Sequence, residues 1–276
     1  MSVPEPFVRA AGASGPGVVC THANASNSAQ WRGLMELLAP AYRVLAPDSY
    51  GAGRSPEWHG EREITLADEV ALLEPALARA GAPLALVGHS YGGAVALKAA
   101  LANPGRVHAL ALYEPTLFSL IESEKRAPND ADGIRNAVAR SIGALDAGDQ
   151  DAAARHFIDY WMGEGAWQNT PDARKPAIAA SIANVRRWAH ALTTEPATLA
   201  AFRTLDIPVL YMVGGRSTTS AHGVARLLTR ALPRVEIVKF EELGHMGPVT
   251  HPEPVNAAIR EFLARTLALE DVGVLG

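Results

Sequence analysis

Ser90 lies within Gly88-His89-Ser90-Tyr91-Gly92, directly after the apolar run Leu84-Ala85-Leu86-Val87 and before a helical stretch that begins at Tyr91. A G-x-S-x-G pentapeptide is informative in this setting, where a strand turns sharply into a helix and leaves a serine hydroxyl exposed for nucleophilic attack. Such a turn strains the backbone at the serine, and Gly88 and Gly92 leave room where side chains would collide with it. Gly93 and Ala94 allow the helix to approach the strand closely. The turn also places Ser90 at the amino end of a helix, where free N–H groups favour the negative charge that develops in acyl transfer. The Tyr91 N–H is one predicted donor. His89 reads as a structural residue of the turn. A serine hydroxyl is a poor nucleophile at neutral pH, so a neutral histidine must take its proton and a carboxylate must orient that histidine.

These groups need a scaffold. Short apolar runs bounded by turn residues alternate with amphipathic stretches of helical length, the pattern of an α/β domain with a mostly parallel sheet flanked by helices. Strands are predicted near 17–22, 42–46, 84–89, 107–113, 208–213 and 235–240, and helices near 29–39, 65–80, 91–102, 220–231 and 252–267. Thr65 and Asp68 predict a capping-box start for the second helix, and Pro75 is expected to kink it or end it early. Between the fourth and fifth strands the alternation stops, and 116–205 reads as successive helices containing Trp161, Trp167 and Trp188. The domain reading is a core of 1–115 and 206–276 with a helical cap of 116–205. Glu270 to Gly276 are expected to fray.

The chain has 276 residues, 48% of them hydrophobic, enough for one large core. A net charge of −4 without a Lys/Arg run argues against nucleic-acid binding. Neither a signal-like amino terminus nor a membrane-length apolar stretch is evident, which predicts a soluble cytoplasmic protein without membrane association. The single cysteine, Cys20, falls in a predicted buried strand and reads as a core residue. No metal-ligand spacing and no dinucleotide-binding glycine pattern stands out, so no cofactor is expected. The expected partner is a small-molecule substrate; oligomeric state is not readable.

From about Val18 onward the motifs resemble, in kind and order, those of the α/β-hydrolase superfamily. Thr21-His22-Ala23-Asn24 after the first predicted strand is similar to that family's oxyanion loop, which implies the Asn24 N–H as the second oxyanion donor and a bracing role for His22. Pro47 to Ser55 resembles another family marker, in which Asp48 and Arg54 are structural. The resemblance implies His245 as the base, because Gly244-His245-Met246 follows the last strand and precedes the final helix; His251 is the nearest competitor.

The usual superfamily position for the acid aligns with Ser217, and no Asp or Glu occurs from Ile207 through Val235. A neutral hydroxyl cannot stabilise an imidazolium as a carboxylate does. Glu114 ends the strand Val107 to Tyr113 at the same sheet edge as Ser90, and part of the superfamily, including many haloalkane dehalogenases, places its acid after this strand. Glu114 is therefore the expected acid, with a salt-bridged residue at the cap entrance as the alternative. Glu241 and Glu242 are too near His245 in the chain to face its ring from behind.

The resulting expectation is a serine esterase acting on a small or medium apolar ester. Trp161, Met162, Trp167, Trp188 and Met246 are candidate pocket residues, with helix packing as the alternative for Met162 and for each tryptophan. The same machinery serves carbon–carbon hydrolysis, lactone or thioester cleavage and lyase chemistry. A pocket used without turnover makes a receptor.

Overall fold

The computed structural model describes residues 3–267; the expected fraying of 270–276 falls outside them. Seven strands form one sheet: β1 (Val8–Ala11), β2 (Gly17–Thr21), β3 (Arg43–Pro47), β4 (Leu84–His89), β5 (Val107–Tyr113), β6 (Val209–Gly214) and β7 (Val235–Phe240). Their spatial order is β1-β3-β2-β4-β5-β6-β7, and only β1 runs antiparallel to its neighbour. The core helices are α1 (Arg32–Leu38), α2 (Leu66–Ala80) and α3 (Tyr91–Ala102). Between β5 and β6 come α4 (Phe118–Glu122), α5 (Asp132–Asp146), α6 (Gln150–Met162), α7 (Lys175–Ile182), α8 (Val185–Thr193) and α9 (Leu199–Phe202). The chain continues with α10 (Thr219–Ala231), α11 (Gly247–Thr250) and α12 (Pro252–Thr266).

Side chains alternate across each strand, so the sheet builds two cores. In β4, Leu84 and Leu86 pack toward α2, α3 and α10, while Ala85 and Val87 pack toward α1 and α12. β2, β4 and β6 are buried along their whole length, as expected of parallel strands covered on both faces. Cys20 lies in this interior, and burial pushes its thiol pKa well up.

Besides the short α11, the structure departs from the predicted elements in three places. β1 is an additional strand, four residues long, pairing Val8 with Pro47 and Ala11 with Val44 at the sheet edge. The first helical prediction splits into a 3₁₀ turn, Ser28–Trp31, and α1, with the Asn27 side chain capping the turn. α2 runs through Pro75 rather than ending there. Proline forfeits one backbone bond, but Leu72, Leu73, Ala76 and Leu77 are buried on both sides of it, and this apolar face keeps the helix in place. At the start of α2 the Asp68 carboxylate accepts the Thr65 N–H at 2.9 Å, completing the capping box.

The strand order reverses direction at β2 and β4, since the chain leaves β2 for one neighbour and returns on its other side. In open parallel sheets the crevice beyond the carboxyl ends at such a point is where ligands bind. Register aligns Thr21 with Gly88, His89 with Tyr113, and Tyr113 with Met212. The residues following β2, β4, β5 and β6 thus emerge along one edge.

Candidate active site

The turn after β4 holds Ser90 at φ +56°, ψ −118°, a conformation that a residue with a side chain adopts only when its surroundings impose it. Those surroundings are mostly backbone. The Ser90 N–H donates to the Tyr113 carbonyl at 3.0 Å, and the Ser90 carbonyl accepts from Thr116 N–H at 3.3 Å. A Cβ on Gly92 would lie 2.3 Å from the Thr21 carbonyl oxygen, so only glycine permits this approach to β2. Thr21 Oγ1 donates to the Gly92 carbonyl at 2.7 Å across the same contact. Tyr91 begins α3, and neither its N–H nor that of Asn24 has an acceptor among the described residues. Asn24 lines the cavity over Ser90, and Tyr91 follows Ser90 directly in the chain. The Tyr91 side chain turns away and donates its hydroxyl to Glu69.

His245 lies in the loop after β7, and the Tyr113 hydroxyl donates to the neighbouring Gly244 carbonyl at 2.8 Å. His245 Nε2 is 2.8 Å from Ser90 Oγ, and Nδ1 is 2.6 Å from Glu114 Oε2. A carboxylate can only accept from Nδ1–H, which leaves Nε2 unprotonated toward the serine. Glu114 is fully buried, and its second oxygen, Oε1, accepts the Gly214 N–H at 2.6 Å. The Glu114 backbone has φ +45°, the second strained residue of the group, and its N–H donates to the Met212 carbonyl at 3.1 Å. Sheet register and this strain together place the carboxylate behind the imidazole.

The remaining candidates fall elsewhere. Ser217 Oγ is buried without a partner among the described residues. Glu241 pairs with Lys239, and Glu242 pairs with Arg216, both at the exposed surface. His251 is exposed and bonds Thr250 Oγ1. Asp48 accepts the N–H groups of Ser28 and Arg54, shaping its loop.

Two further histidines support the crevice. His22 donates Nδ1–H to the Ala23 carbonyl at 2.8 Å and accepts Ser49 N–H at Nε2, and burial lowers its pKa. His89 donates Nε2–H to the His245 carbonyl at 2.8 Å and accepts from Gln30 at Nδ1. Burial, followed by the proximity of His245, holds the His89 pKa well below the usual histidine range, so this ring stays neutral. Gln30 also accepts Ala23 N–H through Oε1, joining the two loops; no motif marks it in the sequence.

A cavity of about 550 Å³ opens over Ser90 and His245, within the usual size range for small-molecule sites. Its walls include Trp161, Met162, Trp188 and Met246. Met162 is 47% exposed. Phe118 and Phe157 also line it, and the i, i+4 spacing of Phe157 and Trp161 on one face of α6 is the signal that marks Phe157. Trp167, predicted as a pocket residue, does not line the cavity. Its indole N–H donates to Asp151 at 2.8 Å, and the ring is buried among the helices.

Comparison with known proteins agrees with this architecture. The family described as "alpha/beta hydrolase fold" matches residues 16–252. A pimeloyl-[acyl-carrier protein] methyl ester esterase of Aeromonas hydrophila is 27% identical over 90% of this chain and 96% of its own. Lipase LipV of Mycobacterium tuberculosis is 30% identical over 91% of this chain and 95% of its own. A solved thermophilic esterase from Thermogutta terrifontis superposes with a TM-score of 0.74 at 24% identity, covering 95% of this chain and 93% of that one. With a family match spanning most of its length and the sheet order just described, the chain belongs to the alpha/beta hydrolase fold family.

Proposed function

We propose that this protein is a serine esterase that hydrolyses small to medium apolar carboxylic esters through an acyl-enzyme on Ser90. The observation that carries this reading is the unbroken line from Ser90 Oγ through His245 to Glu114, at 2.8 and 2.6 Å, beneath a largely apolar cavity. The esterase and lipase relatives support the same chemistry.

Ser90 Oγ attacks the ester carbonyl while its proton passes to His245 Nε2. Glu114 stabilises the imidazolium, and the N–H groups of Tyr91 and Asn24 receive the oxyanion. The tetrahedral species collapses, His245 returns the proton to the departing alkoxide, and the acyl group remains on Ser90. Water then attacks the acyl carbon with His245 again as base, releasing the acid and restoring Ser90. The helices of 116–205 act as the cap that shapes the acyl pocket, and no cofactor takes part.

A panel of p-nitrophenyl esters of increasing chain length tests the reading. The expected result is turnover with kcat/KM highest at short to medium chains. Release no faster than that of Ser90→Ala across the whole panel, with turnover of a vinylogous diketone instead, replaces ester with carbon–carbon cleavage.

A further inference from the structure

One residue of the helical segment touches the base itself. The Trp161 indole of α6 stacks on the His245 imidazole with 3.9 Å between ring centroids and 24° between planes. The indole is in turn held by Phe118, stacked at 6.3 Å, and by the edges of Tyr160 at 5.0 Å and Phe157 at 6.3 Å. Trp161 is 9% exposed and His245 2%, so water has little access to the paired rings.

The imidazole is neutral while Ser90 keeps its proton and becomes a cation when it accepts it. The titratable groups beside it are the Glu114 carboxylate on Nδ1 and His89, whose ring lies 5.3 Å away and is held neutral by burial. An aromatic face attracts a cation more strongly than a neutral ring, and most strongly where water is excluded. The stack therefore favours the imidazolium over the imidazole. That is a preference for the transition state over the ground state, the only kind of contact that accelerates the chemical step.

We infer that Trp161 is a positioning residue for the base: its indole face keeps the His245 ring on the line between Ser90 and Glu114 and stabilises its protonated form. The inference rests on the proposed role of His245. It makes α6 part of the catalytic machinery as well as a wall of the cavity.

The test uses the full chain with Trp161→Phe and Trp161→Leu, p-nitrophenyl acetate as a substrate too small to need the cavity wall, and kcat/KM measured against pH. Loss of the aromatic face in Trp161→Leu is expected to lower kcat about tenfold, with a smaller loss in Trp161→Phe. The acid limb of the profile is expected to move to lower pH by about one unit in Trp161→Leu and by less in Trp161→Phe, because a less stabilised imidazolium gives up its proton more readily. Circular dichroism checks that each variant is folded, and Trp161→Phe carries the test if Trp161→Leu is not. An acid limb that stays in place or moves to higher pH, with the change confined to KM, overturns the inference and leaves Trp161 a cavity wall. Wild-type protein without ester turnover instead sinks the reading of Ser90 and His245 and takes this inference with it.

Discussion

The carboxyl edge of the sheet and the helical segment between β5 and β6 position their side chains by different means. At the edge, backbone hydrogen bonds do most of the work: Ser90 and Glu114 are tied to Tyr113 and Met212, and both hold positive φ angles. In the helical segment, side-chain packing does it, with the Phe157 ring in contact with both Trp161 and Trp188. α7 buries only Ile182, whereas β4 is buried at every residue. A partly buried ion pair, Lys98 to Glu195 at 2.7 Å, fastens the end of the segment to α3. Backbone-held groups keep a geometry that tolerates little substitution, while packed walls change shape with each side chain. Chemistry on the first and selectivity on the second is the division this architecture favours.

The largest expected effect breaks the edge. Glu114→Gln should fold normally by circular dichroism and lose ~10⁴ in kcat, because an amide in place of the carboxylate neither holds the required tautomer nor stabilises the imidazolium. A loss under tenfold would assign Glu114 to structure alone.

The next effect lies behind the elbow. Burial pushes the Glu69 carboxyl from 4.5 up to about 7, and it accepts from the Tyr91 hydroxyl and the Tyr50 N–H. A raised folded-state pKa means that the native protein holds a proton the unfolded chain has released. The contribution of Glu69 to stability is therefore full below about pH 4.5 and is lost as pH rises through about 7. Glu69→Gln removes this dependence. Urea unfolding should show the variant gaining up to roughly 3 kcal/mol on wild type between pH 4 and pH 8; a difference that stays constant with pH contradicts the assignment.

The smallest effect concerns the packed wall. Trp188→Ala enlarges the cavity, so KM for medium-chain esters should change severalfold while kcat for p-nitrophenyl acetate stays within about twofold. An equal fall in kcat for acetate would show that the wall and the edge are not separable at this residue.

The same division explains what was legible in the sequence. The elbow is readable because strand, glycines and helix follow one another locally, and six of the seven strands announce themselves as apolar runs between turns. The placement of Glu114 beside His245 is legible only with the family resemblance, which sets the usual acid position at Ser217, where no Asp or Glu occurs between Ile207 and Val235, and allows one at the end of β5; its strained backbone is not legible. β1 is not readable, because a four-residue edge strand with partly exposed side chains carries too little pattern. In the helical segment, Trp161 and Trp167 look equivalent in sequence, yet one stacks on His245 and the other is tied to Asp151. That difference depends on how the helices pack, which side-chain periodicity does not determine. Gln30, which bridges His89 and Ala23, is invisible for the same reason.

Covalent labelling with a fluorophosphonate, mapped by peptide mass spectrometry on wild type, Ser90→Ala and Glu114→Gln, tests Ser90 as the nucleophile. One adduct is expected, on Ser90, absent from Ser90→Ala and formed far more slowly in Glu114→Gln. An adduct on another residue, or undiminished ester turnover by Ser90→Ala, would contradict it.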